Sequence, residues 1–352
     1  MSRKEDIPSA ALPPASPTLP HSHEHITLIG LGAIGISFLA LHLAYSAATI
    51  SVYDPRPDLR EHIEAVLPLY LSPSVDDIPS LITSRRLILC DSLESACRTA
   101  TIVQEQGPES VGFKQRTWAE VISYVSPACH LWSSTSGIPA SKQLEHLPLQ
   151  HDATAVSARQ RLLVVHPFNP PHIMPLLELV PSPQTTQTEL DFAKSYFVAL
   201  QSGHRPITIH KESTGFVANR LSFILFREAC HLVNEGVASA EEIDEVVRAS
   251  LGPRWAVAGP FKMYGFGGGN KGMKGFLDNI GESIGDVWRD AGTITMDDDT
   301  WKEKVIKQTT QAYGLPGGED IKARDRGLKA VIRVQEEQEE QEMDEARKVK
   351  DY

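Results

Sequence analysis

Short apolar, β-branched runs recur through the amino-terminal part of this chain, and they constrain its fold more than any other feature. They lie at 26–30, 50–53, 86–90, 101–103, 130–133 and 162–166. Helix-compatible stretches such as 34–45 and 109–125 separate them. Strands that are apolar throughout and alternate with helices form parallel sheets covered on both faces. The pattern therefore predicts a doubly wound α/β domain over residues 25–210, with its last strand at 205–210.

After this domain the alternation of strands and helices stops, and the sequence predicts an all-helical domain over residues 211–330. Residues 216–235 have the pattern of a long amphipathic helix, and Gly236 follows them as a suitable C-cap. Ser239 precedes Glu242 by three residues, which is the spacing of a capping box at the start of another helix.

The two ends of the chain differ from these domains in composition. Residues 1–24 are rich in proline, serine, alanine and histidine, and we expect them to form a disordered arm. Residues 331–352 form a charged tail. Its Glu- and Gln-rich stretch 335–344 is expected to be a solvated helix or a frayed end.

Composition excludes several classes of function. The chain has 352 residues, which suffices for two domains of ordinary size. Its net charge of −11 argues against a nucleic-acid surface, which needs clustered Lys and Arg. No apolar run reaches the roughly 18–20 residues of a membrane span, and no apolar signal-peptide core follows the first basic residues. The four cysteines show no CxxC pair and no zinc-like spacing with histidine. We therefore expect no metal site and a reducing, cytoplasmic location.

Three glycines stand between the first predicted strand and the first predicted helix, in the sequence Gly-Leu-Gly-Ala-Ile-Gly. Gly30 permits a tight turn, Gly32 lets a pyrophosphate approach the backbone, and Gly35 lets the helix pack on the strand. The N–H groups of Ala33 and Ile34, in the first helical turn, would then meet the phosphates. The context of strand before and helix after makes this a dinucleotide-binding fingerprint.

Asp54 ends the second predicted strand, 19 residues after Gly35. An acidic residue at this place accepts hydrogen bonds from the adenosine ribose, and its charge repels a 2′-phosphate. NAD is therefore favoured over NADP, although Arg56 lies close enough to keep NADP open. FAD shares the fingerprint, and a glycine-rich turn without a ligand is the remaining alternative.

His166 follows an apolar strand, at the edge where open α/β sheets place their ligand crevice. Glu178 lies beyond a proline-stiffened loop and begins another short apolar run. An imidazole paired with a carboxylate is the arrangement that a general base needs, because the carboxylate fixes the tautomer. On composition alone, a single His and a single Glu are more often structural.

The segment that contains these two residues resembles the His-x-Phe-Asn-Pro…Glu signature of the L-3-hydroxyacyl-CoA dehydrogenase family. It is more similar still to the branch of lambda-crystallin, L-gulonate 3-dehydrogenase and carnitine dehydrogenase, which has Asn-Pro-Pro and continues into Glu-Leu-Val-Pro. The resemblance covers roughly residues 26–290 and includes the segments 104–114, 133–136 and 211–220. It implies an oxidoreductase with an NAD-binding Rossmann domain, a helical carboxy-terminal domain and a homodimer formed through that helical domain.

The resemblance also implies roles for single residues. His166 would take the hydroxyl proton as hydride leaves C3 for the nicotinamide, and Glu178 would orient it. Ser136 and Asn219 would hydrogen-bond the substrate oxygen as it becomes a carbonyl. Glu109 and Lys114 match positions on the nicotinamide side of the cofactor. Without the family, Ser136 would be an ordinary loop serine and Asn219 a polar residue at a helix start.

The substrate is less constrained by the sequence. The acyl-CoA enzymes insert a long basic helical hairpin after the second strand. The equivalent stretch here, residues 56–85, is short and is interrupted by prolines. Arg254 offers a fork of donors that matches a free carboxylate, with a surface or interface ion pair as its alternative role. A glycine-rich segment at 267–276 is expected to be a flexible loop near the active site or a dimer contact. Trp255, Tyr264 and Phe266 are candidates for a quaternary-ammonium cage or for the helical core.

Three hypotheses follow. The leading one is NAD-dependent oxidation of the 3-hydroxyl of an L-3-hydroxy acid with a free carboxylate, such as L-gulonate. The second is an L-3-hydroxyacyl-CoA dehydrogenase of the fatty-acid type. The third is a catalytically silent, crystallin-like protein that binds NAD. The small-molecule substrate, the pathway and the reaction direction are not fixed by the sequence.

Overall fold

A computed structural model describes residues 19–71, 74–147 and 152–350, and it divides the chain into two units with a boundary between Phe216 and Val217. Most of the arm expected over residues 1–24 therefore lies outside the described residues. Its last residues are packed, because the His21 ring stacks on Tyr196 with centroids 4.1 Å apart and the N–H of Ala47 donates to the carbonyl of Pro20.

The first unit is built on one eight-stranded sheet with strand order β3-β2-β1-β4-β5-β6-β7-β8. The strands are β1 (His25–Ile29), β2 (Thr49–Tyr53), β3 (Leu87–Leu89), β4 (Ile102–Glu105), β5 (His130–Ser133), β6 (Leu162–Pro167), β7 (Leu176–Pro181) and β8 (Arg205–Thr208). The helices are α1 (Ala33–Tyr45), α2 (Leu59–Val66), α3 (Ile78–Thr83), α4 (Leu93–Cys97), α5 (Val111–Tyr124), α6 (Ala140–Gln143), α7 (Ala153–Arg161) and α8 (Gln187–Ala199). The predicted doubly wound α/β class is confirmed.

The sheet is parallel from β3 through β6, and β8 is parallel to β7, but β6 and β7 pair antiparallel. The sequence pattern predicted a parallel sheet, and this one antiparallel pair departs from it. A short loop of eight residues connects β6 to β7. A parallel crossover needs a dozen residues or more, so a connection this short returns the chain antiparallel.

Helices cover both faces of the sheet because alternate strand residues point to opposite sides. In β6, Leu163 and Val165 join the core beneath α1 and α8, whereas Leu162 and Val164 join the core beneath α4, α5 and α7. All four are buried. Burial of each such side chain stabilises the fold by roughly 1.5–3 kcal/mol, which fixes the strand that carries His166.

The second unit is helical, as expected. Its helices are α9 (Ala218–Glu235), α10 (Ala240–Val246), α11 (Gly252–Val257), α12 (Pro260–Phe266), α13 (Gly272–Asp290), α14 (Asp299–Tyr313) and α15 (Gly318–Lys350). Gly236 ends α9 in the left-handed conformation with φ 73°, and Ser239 and Glu242 form the predicted capping box. Both local predictions are confirmed.

Two expectations for this unit differ from the structure. The helix α15 runs through residue 330, where the sequence analysis placed the start of a charged tail, because Glu, Gln, Lys and Arg are good helix formers. In the glycine-rich segment 267–276, residues 267–271 form a tight turn between α12 and α13 and the other residues begin α13. A Cβ on Gly268 would lie 1.8 Å from the carbonyl oxygen of Gly272, so the turn is closely packed.

Within the described part of the second unit, few apolar side chains are buried and many large ones are exposed. The buried ones are Cys230, Val233, Ala240 and Trp301. The exposed ones include Leu221, Phe223, Ile224 and Phe226 on α9, and Ile280, Val287 and Trp288 on α13. This unit therefore leaves much of its apolar surface uncovered within one chain.

None of the described helices has the length and apolar character that crossing a membrane would require.

Candidate active site

The glycine turn after β1 has the close packing that the sequence predicted. Gly30 has φ +90°, and a Cβ added there would lie 3.1 Å from backbone atoms of Gln106 and Gly107. A Cβ on Gly35 would lie 2.0 Å from the carbonyl oxygen of Gly30, so only glycine lets α1 pack this closely. Around Gly32 the space is open, which leaves room for a ligand beside the backbone.

The open space at Gly32 faces the start of α1. Gly32 is the N-cap and supplies no side chain to the helix terminus, so the N–H groups of Ala33 and Ile34 are the donors that a phosphate would meet there. A cavity of about 610 Å³ is lined by Gly30, Gly32 and Asp54. This volume is within the usual range for ligand pockets of about 300–1,000 Å³, and the donor set suits a dinucleotide.

Asp54 is held rigidly at the end of β2. Its Oδ2 accepts the N–H of Leu31 at 2.7 Å, and its Oδ1 accepts the N–H of Arg56 at 3.0 Å. The carboxylate is therefore oriented by the backbone before any ligand binds. Its remaining lone pairs are available to ribose hydroxyls, as the sequence predicted.

His166 and Glu178 form a buried pair across the antiparallel strands. The ladder of β6 and β7 places them directly opposite each other, and His166 Nδ1 lies 2.7 Å from Glu178 Oε2. Their side chains are 4% and 2% exposed. The ring of Phe216 packs against the imidazole, with centroids 5.3 Å apart. Burial and packing hold the ring in one orientation.

The pair fixes the tautomer of His166. A carboxylate only accepts hydrogen bonds, so Nδ1 carries the proton that is donated to Glu178. In the neutral ring Nε2 is then the basic atom. The arrangement presents one acceptor at the carboxyl end of β6, where it can take a proton from a bound alcohol.

A second histidine ties the loop after β6 to the cofactor helix. Ser37 on α1 accepts the backbone N–H of His172 at 2.8 Å, and its Oγ also lies 2.8 Å from His172 Nδ1. The ring of Tyr70 contacts His172 edge-on, with centroids 4.7 Å apart. The loop that follows His166 is thus attached to the helix that begins after the glycine turn.

A buried polar chain lies beneath β4 and β5. His42 Nε2 is 3.1 Å from Gln104 Oε1, the Tyr196 hydroxyl is 2.9 Å from His42 Nδ1, and Gln104 Nε2 donates to Ser134 Oγ at 3.1 Å. Burial is the main cause that lowers the pKa of His42 to about 4. His42 is therefore neutral near pH 7 and relays hydrogen bonds to the loop that carries Ser134.

Comparison with known proteins identifies the family. The family model described as "3-hydroxyacyl-CoA dehydrogenase, NAD binding domain" matches residues 25–213, and the model for the C-terminal domain matches residues 215–312. The chain belongs to the 3-hydroxyacyl-CoA dehydrogenase family. It is an NAD-dependent oxidoreductase that acts on 3-hydroxy acid or 3-hydroxyacyl compounds.

Named relatives fall into two groups. The L-carnitine dehydrogenase of Streptomyces coelicolor is 32% identical, over 90% of this chain and 96% of its own length. That of Oceanobacillus iheyensis is 34% identical, over 80% of this chain and 88% of its own. A 3-hydroxyacyl-CoA dehydrogenase of Gibberella moniliformis is 33% identical, over 74% and 78% respectively.

Solved structures support the fold. The NAD-dependent 5-formyl-3-hydroxy-2-methylpyridine 4-carboxylic acid 5-dehydrogenase has a TM-score of 0.66 at 24% identity, covering 89% of this chain and 98% of its own. The 3-hydroxyacyl-CoA dehydrogenase of Archaeoglobus fulgidus has a TM-score of 0.56 at 23% identity, covering 89% and 99%. At these identities the likeness concerns the fold alone.

Two of the residues that the family resemblance singled out, Ser136 and Glu109, lie together at the loop after β5. Ser136 is exposed in the loop after β5, and Glu109 holds that loop. The Glu109 carboxylate accepts the hydroxyl of Thr135 and the backbone N–H groups of Ser136 and Gly137, the last two at 3.2 and 3.0 Å. Glu109 therefore has a structural task that the sequence did not indicate, because it positions the loop that presents Ser136.

Lys114 has a buried ionic partner. Its side chain is 0% exposed and its Nζ is bonded to both carboxylate oxygens of Glu105, at 3.0 and 2.8 Å. Its place on the nicotinamide side of the cofactor stays a prediction. Glu105 is also fully buried and accepts the N–H of Gly107 at 2.6 Å. Lys114 thus neutralises the carboxylate that fixes Gly107, the residue packed against the glycine turn.

The remaining family positions lie in the second unit. Asn219 is 9% exposed in the first turn of α9. Arg254 is exposed on α11, and its guanidinium Cζ lies 5.9 Å from the centre of the Tyr264 ring. The guanidinium of Arg254 carries a fork of N–H donors that matches a carboxylate.

Three residues of the site were missed by the sequence analysis. Glu105 and Ser37 are polar residues within otherwise apolar elements, and a polar group buried in this way requires a partner. That rule could have identified both. His172 stands within the quoted motif, but nothing in the sequence indicates that it meets α1.

The buried Lys114–Glu105 pair generates a prediction about stability. Lys114→Met should lower the free energy of unfolding by about 3–5 kcal/mol, because it leaves the Glu105 carboxylate buried without a counter-ion. The double variant Lys114→Met/Glu105→Gln should recover most of that loss. Urea unfolding measures both values. Lys142→Met, which removes an exposed pair with Glu145, is the matched control and should cost at most about 1 kcal/mol. A single variant as stable as that control would contradict the assignment.

Proposed function

We propose that this chain oxidises the 3-hydroxyl of a small L-3-hydroxy acid that carries a free carboxylate, with His166 as the general base. The observation that carries the proposal is the buried contact of 2.7 Å between His166 Nδ1 and Glu178 Oε2. It leaves Nε2 as the proton acceptor at the crevice edge of the sheet.

In this mechanism the two ring nitrogens of His166 have different roles, because Nδ1 faces Glu178 and Nε2 faces the substrate. Nε2 of His166 accepts the proton of the 3-hydroxyl, and Glu178 stabilises the charged ring that results. When bound, NAD supplies the acceptor for the hydride that leaves C3, so the 3-hydroxy acid becomes a 3-oxo acid. The proton and the hydride leave the same H–C–O–H unit, which balances the oxidation.

The negative charge that develops on the substrate oxygen needs hydrogen-bond donors that stabilise it. The loop that Glu109 fixes presents Ser136 for one such hydrogen bond, and the family resemblance assigns the second to Asn219. Donors that are positioned beforehand lower the barrier, because they do not reorganise as the carbonyl forms.

Two features favour a free acid over an acyl-CoA. The described residues between β2 and β3 form the eight-residue α2, a single 3₁₀ turn and the six-residue α3, and not the long basic hairpin expected of the CoA enzymes. Arg254 is exposed on α11, and its guanidinium offers a fork of donors that matches a carboxylate.

Among free 3-hydroxy acids, L-carnitine is the first to test. It carries a carboxylate and a quaternary ammonium group, and relatives that cover most of this chain are named for it. The aromatic side chains of Trp255 and Phe266 are 37% and 65% exposed rather than part of a core. Exposed aromatic faces are what a quaternary ammonium binds. L-Gulonate shares the 3-hydroxy acid unit without the cation.

The experiment is a panel of L-carnitine, L-gulonate, L-3-hydroxybutyrate and L-3-hydroxybutyryl-CoA, assayed for NADH production. We expect turnover of at least one free acid with a higher kcat/KM than the thioester. Arg254→Gln should lower kcat/KM for free acids about 10- to 100-fold, the loss expected for a charged hydrogen bond. Arg289→Gln removes an exposed arginine of α13 that pairs with Asp286, and it serves as the matched control.

Other outcomes of the panel contradict the proposal in different ways. Activity confined to the thioester would support the acyl-CoA dehydrogenase alternative. NAD binding without turnover of any member would support the silent, crystallin-like alternative.

His166→Gln should reduce turnover by about 10²- to 10⁴-fold. Unchanged NADH production in that variant would show that another residue is the base.

We also propose that the chain forms a homodimer through its second unit. The large exposed apolar side chains of α9 and α13 support this, because monomers rarely leave such contiguous apolar surface uncovered. A cytoplasmic location is supported by the four free cysteines, three of which are buried. Burial raises the pKa of both Cys97 and Cys129 to about 12, so these thiols stay protonated.

Sedimentation equilibrium at micromolar concentration tests the dimer, and we expect twice the mass of one chain. Phe223→Arg should shift the equilibrium to the monomer, since it places a charge in the apolar face of α9. Glu337→Arg on the polar side of α15 is a control and should leave the mass unchanged. A wild-type mass of one chain would contradict the proposal.

A further inference from the structure

The segment that follows β8, residues 212–216, contacts two parts of the candidate site, and the proposed reaction gives it no role. One end of this segment holds the loop after β5, and the other end packs against His166. We propose that the 212–216 turn fixes the Ser136 loop relative to His166. Its two positioning residues are Glu212 and Phe216. Because it concerns the same base and the same hydrogen-bond donor, this role rests on the proposed function.

Phe216 is held in a backbone conformation that bulky residues rarely adopt. Its φ is +50°, in the left-handed region, and its side chain is fully buried. The N–H of Phe216 donates to the carbonyl of Ser213 at 3.1 Å, which closes a turn in which Gly215 is also left-handed, with φ +74°. Strain of this kind persists only where the surrounding structure holds the residue. The buried ring must therefore make contacts that offset it.

The Phe216 ring packs against the general base and against the core beneath it. Its centroid lies 5.3 Å from that of the His166 imidazole, and the ring belongs to the apolar cluster that contains Val164 and Val180. These two valines face each other in the β6–β7 ladder, two positions from His166 and Glu178, so they lie on the same side of the sheet as the dyad. The Phe216 ring therefore fills the space beside the imidazole and limits its rotation away from Glu178.

The other end of the 212–216 turn holds the loop that follows β5. The Glu212 carboxylate accepts the N–H of Ser141 at 2.9 Å, in the first turn of α6. This N–H has no partner within the helix, so Glu212 satisfies it. The N–H of Gly215 donates to the carbonyl of Gly137 at 3.4 Å, and a Cβ on Gly137 would lie 3.5 Å from that nitrogen. Ser136 directly precedes Gly137, so its backbone is fixed by the same contact.

These two contacts matter because β5 and β6 are adjacent parallel strands. Ser136 follows the end of β5 and His166 lies one residue before the end of β6, so both are carried to the same edge of the sheet. The 212–216 turn is one short covalent segment that contacts both groups. A displacement of about 1 Å between reacting groups can lower a rate about 10²-fold. Loss of either contact should therefore lower kcat more than it weakens NAD binding.

A double-mutant cycle on the full-length protein separates positioning from general damage. Glu212→Ala should lower kcat for the best substrate of the panel about 3- to 10-fold, the loss of one hydrogen bond, with the dissociation constant for NAD within about twofold. In the Ser136→Ala background it should lower kcat less than about twofold, because the group that Glu212 positions is already absent. Glu212→Gln retains an acceptor for Ser141 and should restore kcat. Glu145→Ala, which removes an exposed carboxylate paired with Lys142, is the matched control and should leave kcat unchanged.

Phe216→Gly tests the aromatic contact, because glycine accepts the left-handed backbone and removes only the ring. We expect kcat to fall about 10- to 100-fold in the wild-type background, and less than about threefold in the His166→Gln background. Phe216→Leu retains apolar volume and should lose less, and it takes the place of the glycine variant if that variant does not fold. Phe197→Leu changes a buried phenylalanine of the other core cluster, and it should lower stability without lowering kcat.

Hydrogen–deuterium exchange distinguishes a failure of this proposal from a failure of the proposed function. Glu212→Ala should raise the exchange rate of the amides of residues 134–141 about 3- to 10-fold, whereas Glu145→Ala should not, whether or not any member of the panel is oxidised. A panel without turnover would contradict the proposed function alone. Unchanged exchange in Glu212→Ala would overturn the positioning proposal. So would a loss of kcat that is as large in the Ser136→Ala or His166→Gln background as in the wild type.

Discussion

The site depends on one interaction, the hydrogen bond between an imidazole and a carboxylate on adjacent antiparallel strands. Register alone makes His166 and Glu178 neighbours, and the buried apolar residues of β6 fix that register. A slip of one residue would turn every side chain of a strand to the opposite face and separate the pair. The chemistry of the site is therefore a consequence of how the sheet is packed.

Backbone packing also determines the geometry of the glycine turn after β1. Glycines place the turn after β1 against residues 106 and 107, and the carboxylate of Glu105 holds that segment from below. Lys114 offsets the desolvation cost of this buried carboxylate by pairing with it. Ser37 and His172 then connect the cofactor helix to the loop after β6. His166 and the glycine turn thus belong to one compact unit.

Much of the first unit could be predicted because its strands are apolar throughout and its turns need glycine. The predicted strand positions agree with β1 to β6 and with β8 to within two residues at each end. The antiparallel direction of β7 was missed, although the eight-residue connection after β6 is too short for a parallel crossover. The helical alternative for residues 335–344 is confirmed, but the domain boundary predicted at residue 330 lies inside α15.

Within the site, positions that the backbone dictates were predicted better than positions that side-chain packing decides. The turn at Gly30 and the carboxylate at Asp54 follow from the dinucleotide fingerprint. The place of Lys114 does not, because a lysine side chain is long enough to reach either the crevice or a buried partner. In the structure Lys114 binds the buried carboxylate of Glu105, a contact that forms only in the folded chain.

The most direct measurement of the central claim is the turnover of Glu178→Gln compared with its affinity for NAD. An amide nitrogen facing Nδ1 would donate to it and move the ring proton to Nε2, so the base would lose its lone pair. We predict that kcat falls about 10²- to 10⁴-fold while the dissociation constant for NAD stays within about twofold, because the dyad contributes to proton transfer rather than to dinucleotide binding. A Glu178→Gln variant with wild-type kcat would contradict the account.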